Sequence, residues 1–332
     1  MKEKAILVTG GAGYIGSHTV RQLAASGLRT IVLDNLVYGH RDAIVDENAT
    51  LIEGEMADAA LVEKIFTENE ITAVVHFAAY AYVGESVTDP LKYYRNNTAA
   101  ALTVLEAMKK HGCGQFIFSS TCATYGNPQQ MPMSESHPQE PINAYGQSKL
   151  MLEKILADCA RAHGLRSVCL RYFNACGCSD DGVIGEDHNP ETHLIPLALM
   201  AITGEIDQLT VFGTDYPTPD GTCIRDYIHV DDLARAHIAA LEYLGGGGES
   251  TQVNLGTGKG TSVRQIIDTA EAVTGKKVPV VYGERRAGDP PELVADASKA
   301  KEVLDWEAQI TDLNQIISSA WAWMSGPRKG RY

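Results

Sequence analysis

Thr9-Gly10-Gly11-Ala12-Gly13-Tyr14-Ile15-Gly16-Ser17-His18 directly follows the apolar run Ala5-Ile6-Leu7-Val8, and the reading of this junction decides the fold. A short, continuous apolar run marks a buried strand, and Ile15, Val20 and Leu23 then recur at helical spacing over Tyr14 to Ser26. Gly10, Gly13 and Gly16 therefore fall between a strand and a helix. Small residues at such a turn let the backbone approach a phosphate, while the helix start offers free N–H groups and the positive end of a dipole. The next strand candidate, Arg29 to Leu33, ends at Asp34-Asn35. An acid at that strand end accepts hydrogen bonds from an adenosine ribose and repels a 2′-phosphate. Together these features predict a dinucleotide site for NAD in preference to NADP.

Outward from this junction, further strands are expected at Thr50 to Glu53, Ala73 to Phe77, Gln115 to Ser119 and Ser167 to Arg171. Helices are expected at Ala59 to Thr67, Tyr93 to Lys110 and Ala144 to His163. Alternating strands and helices of this kind predict an α/β fold, a Rossmann-type doubly wound parallel sheet covered on both faces. After residue 173 the pattern changes. Residues 174–190 are rich in Gly, Asp, Asn and Pro, Tyr216 to Gly221 is turn-rich, and Gly245 to Gly248 reads as a surface connection. A chain of 332 residues suits one large domain with a smaller C-terminal companion. The expected division gives residues 1–175 and about 226–256 to NAD, and about 176–225 and 257–332 to the substrate. The last residues, 327–332, read as a solvated tail.

The formal net charge of -14 argues against a nucleic-acid partner, which would need clustered Lys and Arg. Local arginines can still serve a phosphate-bearing small molecule. The seven cysteines form no regular framework; Cys176-Gly177-Cys178 is the closest pair, and no zinc pattern completes it. No metal site is expected, and the cysteines read as reduced thiols of a cytoplasmic protein. Met1-Lys2-Glu3-Lys4 leads straight into a strand, and no apolar stretch reaches the roughly 20 residues that span a membrane, so no membrane association is expected.

Tyr145 and Lys149, in Tyr145-Gly146-Gln147-Ser148-Lys149, are four apart and share one helix face. A free tyrosine, with a pKa of about 10, is a poor base at neutral pH, but a nearby ammonium and a cationic nicotinamide both favour its phenolate. Tyr145 is then a candidate base for a sugar hydroxyl whose carbon gives up hydride, with Lys149 also holding the nicotinamide ribose. Ser119-Ser120-Thr121 follows a strand candidate upstream.

The Gly-x-x-Gly-x-x-Gly spacing at 10, 13 and 16 and the Tyr145-x-x-x-Lys149 motif resemble the extended short-chain dehydrogenase/reductase family. The likeness narrows to its UDP-sugar 4-epimerases through Leu33-Asp34-Asn35-Leu36, Val83-Gly84-Glu85-Ser86-Val87, Leu170-Arg171-Tyr172-Phe173-Asn174, Arg225-Asp226-Tyr227-Ile228-His229-Val230, Asn254-Leu255-Gly256-Thr257-Gly258 and Arg285-Arg286-Ala287-Gly288-Asp289-Pro290. These motifs run in order from residue 4 to about 325. The resemblance implies redox-neutral interconversion of UDP-galactose and UDP-glucose through a 4-keto sugar on retained NAD, in a homodimer. It makes Thr121 the hydroxyl beside Tyr145, completing a triad with Lys149. Tyr14, Ile15, Asp34, Asn35, Glu55, Met56, Phe77, Ala78 and Ala79 would contact NAD, with Asn96 and Phe173 on the nicotinamide side. Asn174, Leu194, Phe212, Arg225, Arg286 and Asp289 would hold UDP, and arginines suit a diphosphate.

Several positions depart from the family pattern. Thr121 replaces a frequent Ser but keeps the hydroxyl, Glu55 stands for an Asp, Ala81 for a lysine, and Thr192-His193 for asparagines. Leu293, at the position that sets pocket size, is smaller than Tyr and larger than Cys or Ser, so hexose, N-acetylhexosamine and pentose readings all stand at this point. A nucleotide-sugar dehydratase would need an acid and a base where Cys122-Ala123 follow Thr121. The rival from another class, a non-catalytic NAD-binding sensor, has no need of both Tyr145 and Lys149.

Overall fold

The computed structural model describes residues 2–286 and 288–327. The strands are β1 (Lys4–Thr9), β2 (Thr30–Asp34), β3 (Ala49–Glu53), β4 (Glu70–His76), β5 (Gln115–Ser119), β6 (Arg166–Tyr172), β7 (Asn174–Cys176), β8 (Leu209–Phe212), β9 (Ile224–His229), β10 (Thr251–Leu255), β11 (Gly260–Ser262), β12 (Val280–Gly283) and β13 (Glu292–Leu293). The α-helices are α1 (Tyr14–Ala25), α2 (Ala59–Glu68), α3 (Val83–Thr88), α4 (Pro90–Tyr93), α5 (Ala100–His111), α6 (Ala144–His163), α7 (Leu194–Thr203), α8 (Val230–Gly245), α9 (Val263–Thr274), α10 (Ser298–Leu304) and α11 (Leu313–Ser325).

A seven-stranded sheet runs in the order β10-β6-β5-β4-β1-β2-β3, with every pairing parallel. It is the expected doubly wound sheet. Alternation along each strand feeds two cores: in β5, Phe116 and Phe118 pack with α2, α5 and α6, while Ile117 packs with α1, α8 and α10. Each such buried apolar side chain contributes about 1.5–3 kcal/mol. The strand order reverses between β1 and β4, so the crevice outside their carboxyl ends is where a doubly wound sheet binds its ligand.

After β6 the chain builds two small sheets, in which β9 joins β7, β11 and β13 while β8 pairs with β12. A third core, from α7, α9 and α11, closes beneath them. Asp226 of β9 is fully buried and accepts the amides of Thr257, Gly258 and Ala295, fastening two distant loops to one carboxylate.

One expected helix is broken. In place of a single helix over Tyr93 to Lys110 there are α4, a π-turn over Tyr94–Ala99, and α5. The turn widens where Asn97 faces the cleft wall: its Oδ1 accepts from Tyr80 N at 2.8 Å, and its Nδ2 donates to Tyr80 O at 2.9 Å and Ser148 Oγ at 3.1 Å. Such one-turn widenings occur at functional sites, and here it sets Asn96 on the cleft lining. The tail expected at 327–332 lies, from residue 328 on, outside the described residues.

Candidate active site

The turn after β1 is tight by necessity. Gly10 has φ +72°, and a Cβ there would stand 2.4 Å from Ala78 N; a Cβ on Gly16 would stand 2.3 Å from Gly10 O. Gly13 caps α1 in an extended conformation with no side-chain bond, and the first turn carries no acid. The leading amides of α1 therefore keep their donors and the positive helix end open to the cleft, which fits a pyrophosphate. Asp34 accepts Ala12 N and Leu36 N at 2.9 Å each. Burial holds its pKa above the ordinary range against those two donors. Glu55, on its longer arm, takes Asn35 Nδ2 at 3.2 Å on each carboxylate oxygen. These groups open onto one cleft of about 1250 Å3, which also reaches Met56, Phe77, Ala78 and Ala79. Residues and space both fit NAD.

Asn143 caps α6 by accepting Gly146 N at 2.8 Å, which places Tyr145 and Lys149 one turn apart on its cleft side. Lys149 is only 3% exposed; its Nζ donates to Ser119 O at 2.9 Å and lies 5.9 Å from the centre of the Tyr145 ring. Thr121 Oγ1 accepts Ala123 N at 3.1 Å, which leaves its proton for the Tyr145 oxygen. Burial lowers Lys149 to about 7, against the charge of Glu153. Burial also raises the Tyr145 phenol well above its usual value, with Tyr172 adding to the rise and only the Thr121 bond opposing it. The phenolate-favouring role expected of Lys149 is thus not visible among the protein's own groups. The Lys149 amine is committed to the Ser119 carbonyl and is not among the groups that shift Tyr145.

Beneath this corner lies a buried polar chain. Ser120 Oγ donates to Glu153 at 2.6 Å, and Arg171 grips the same carboxylate through two nitrogens. Arg171 also reaches Tyr125 Oη at 3.0 Å, which donates to Asn254 at 2.6 Å. Ser119 and Ser120 thus do more than end a strand: Ser119 meets the Tyr172 hydroxyl at 2.6 Å, and Ser120 anchors the turn that carries Thr121.

The other end of the cleft presents Arg225, hydrogen-bonded to Asp289, and Arg286, whose guanidinium stacks 4.1 Å from the centre of the Phe212 ring. Asn96, Phe173, Asn174, Arg225, Arg286, Asp289 and Leu293 all face the cleft. Leu293 packs beside Tyr125, Met133 and Phe173. Two expected UDP contacts are not on the lining. Leu194 packs against the third core, and Phe212 touches the site through Arg286.

Three cleft residues, Glu186, His188 and Glu191, were missed in the sequence; they join His193, read there only as a departure from asparagine, and the ligating atoms of the four lie within 4.8 Å of one another. Burial opposes charge on both histidines, yet the two carboxylates lift His188 to about 9 and His193 to about 10. The spacing Glu-x-His-x-x-Glu-x-His was the available signal.

Residues 6–256, more than half of the chain, match the family described as NAD dependent epimerase/dehydratase. The chain belongs to that family. The resemblance read from the sequence is borne out over nearly the whole length. A UDP-glucose 4-epimerase of Lacticaseibacillus casei is 49% identical over 325 residues, which is 98% of each chain. The crystal structure of UDP-glucose 4-epimerase from Brucella ovis in complex with NAD has a TM-score of 0.93 at 51% identity, covering 96% of this chain and 97% of that one. The UDP-Glc/GlcNAc 4-epimerase from Campylobacter jejuni has a TM-score of 0.86 at 44% identity, covering 97% and 99%. The chain is thus an NAD-dependent enzyme of the epimerase/dehydratase family, with the Rossmann sheet its relatives share.

Proposed function

We propose that this protein interconverts UDP-galactose and UDP-glucose by inverting C4 of the hexose, with no net oxidation. The observation that carries this reading is the Thr121–Tyr145–Lys149 corner, set at one end of a cleft whose other end holds Arg225 and Arg286. In that cleft NAD supplies the hydride acceptor and donor, and a cationic ring whose charge favours the Tyr145 phenolate.

Tyr145 takes the proton of the 4-hydroxyl as the C4–H bond gives up its hydride, so C4 becomes a ketone. Thr121, with an acceptor site bound to Ala123 N, directs its single proton at Tyr145 in the free protein and turns it to the reacting oxygen when the sugar is bound. Lys149, fixed on Ser119 O, orients the nicotinamide ribose beside it. Arg286 and Arg225 hold the diphosphate while the keto sugar turns over and presents its opposite face. Tyr145 then returns its proton as hydride comes back to C4, which leaves atoms and electrons balanced.

In this reading residues 1–175 and about 226–256 hold NAD, while about 176–225 and 257–332 hold the UDP-sugar. The protein is a cytoplasmic homodimer; its seven cysteines are all unpaired, and Leu102 and Met151 leave apolar surface exposed on α5 and α6. No helix among the described residues is long and apolar enough to cross a membrane. A second reading, turnover of N-acetylhexosamines as well, is supported by the intermediate size of Leu293 and by the dual name of the Campylobacter jejuni relative.

The test is incubation of the purified protein with UDP-galactose and, separately, UDP-N-acetylgalactosamine, with no NAD added. UDP-glucose without accumulating NADH is expected. Failure with both sugars even after NAD is supplied would overturn the reading.

A further inference from the structure

Glu186, His188, Glu191 and His193 lie on the short segment between β7 and α7, which passes over the cleft. His193 Nδ1 is 2.8 Å from Glu186 Oε1 and 2.8 Å from Glu191 Oε1. His188 Nδ1 is 3.2 Å from Glu186 Oε1 and 3.6 Å from Glu191 Oε2. That nitrogen is buried and makes no well-formed hydrogen bond to either carboxylate. Both glutamate side chains are about 95% buried (5% and 6% exposed), so two carboxylates face one another away from water.

We infer that these four side chains form a structural site for one divalent cation of the zinc class. Metal–nitrogen and metal–oxygen bonds of about 2.0–2.1 Å in a tetrahedron place neighbouring ligand atoms about 3.3 Å apart. The four His–Glu contacts span 2.8 to 3.6 Å and the ligand atoms all lie within 4.8 Å of one another, close enough for small side-chain shifts to gather one atom from each residue round a single ion. Two imidazoles and two carboxylates suit zinc and its neighbours better than magnesium or calcium, which take all-oxygen shells. The charges also match once the ion has displaced the protons of the two histidines, since one divalent cation then balances the two carboxylates. Four protein ligands fill a tetrahedron, so the role is structural, with no position left for substrate.

Such an ion would fasten the segment to the cofactor cleft. Glu186 O accepts Trp323 Nε1 of α11 at 2.9 Å, and the His188 ring meets the Tyr14 ring edge-on at 6.1 Å. Tyr14 opens the phosphate-binding helix and donates to Gly177 O at 2.6 Å, at the other end of the same segment. The sequence reading, which looked for a zinc pattern round Cys176 and Cys178, expected no metal, and this inference departs from it.

The test uses the full chain, stripped of metal by a chelator and titrated with zinc and, as a spectroscopic probe, with cobalt. Magnesium serves as a control. One zinc per chain by elemental analysis and the intense visible bands of four-coordinate cobalt are expected. Zinc should raise the thermal midpoint of the wild type, and magnesium should not. Glu191→Gln and His193→Asn, each removing a ligand rather than an outer-shell partner, should weaken zinc binding by at least the roughly 10–100-fold that loss of an outer-shell partner costs and abolish the zinc-dependent rise. Variants that bind zinc as tightly as the wild type would overturn the site. Should a variant fail to fold, the wild type decides alone: no stoichiometric binding of zinc or cobalt, or six-coordinate cobalt bands, overturns it.

Discussion

Lys149 Nζ donates to the carbonyl of Ser119 at 2.9 Å, so the lysine of the catalytic corner is tied to the end of β5 and stands 5.9 Å from the Tyr145 ring centre. The lysine therefore fixes geometry between the sheet and α6, and its charge is suppressed by burial.

That suppression has a sign that can be tested. The pKa of Lys149 is lowered to about 7 in the folded protein, whereas an unfolded lysine titrates near about 10.4. Between those values the unfolded chain binds the extra proton, so this group's contribution to stability is full above the unfolded value and is lost as pH falls through about 7. Denaturant unfolding should show the stability of the wild type relative to Lys149→Met rising from about pH 7 to about pH 10. A flat difference would contradict the lowered pKa.

Tyr145→Phe removes the acid–base group and keeps the ring in place. Epimerisation should fall by about 10²–10⁴-fold, while the NAD content of the purified protein stays at the wild-type level. Cofactor absorbance and single-substrate rates measure the two effects separately.

Glu153 and Arg171 are each 5% exposed and bound through two nitrogens beneath Ser120. Glu153→Ala leaves a buried guanidinium without its partner and should cost about 3–5 kcal/mol, read as a shift in denaturant midpoint. Activity should fall as well, because Ser120 positions the turn that bears Thr121.

Gly10→Ala and Gly112→Ala separate crowding from conformational strain. Both residues have φ near +70°, but an added Cβ has open space at Gly112 and meets Ala78 backbone at Gly10. Gly112→Ala should cost about 1–2 kcal/mol with NAD binding intact. Gly10→Ala should cost more and release the cofactor, which NAD content after gel filtration will show.

Arg286→Ala should raise KM for UDP-galactose with a smaller change in kcat, the mark of an interaction made equally in ground and transition states. Phe212→Ala should move KM in the same direction by less, since its ring acts by supporting the guanidinium.

The sheet and its helices were legible wherever burial alone decides the residue type. Ala144 to His163 was read with the bounds it has, because Asn143 caps it and Gly164, in the left-handed region, ends it. The broken helix around Asn97 was not legible: its widening is set by hydrogen bonds to Tyr80 and Ser148, neither of which is in the helical turn itself. Helix α7 also escaped, since Leu194 to Thr203 is apolar nearly all round and shows no face. In the site, side chains at strand ends were read from motifs, and most face the cleft. Leu194 and Phe212 sit one layer behind the lining, a distinction a motif does not carry, because it reports proximity in sequence and not which side of a strand or helix faces the ligand.

The edge strand of the large sheet, β10, comes from Thr251–Leu255, and α8 covers the sheet before it. During synthesis, then, the ribosome must release more than 250 residues before the sheet beside the catalytic corner can close. Until that moment the outer edge of β6 is an unpaired template for any other nascent strand. The order in which this chain is threaded makes the stretch of translation between β6 and β10 its most aggregation-prone interval, and it is the late return of a single strand, rather than the stability of the finished protein, that ends the exposure.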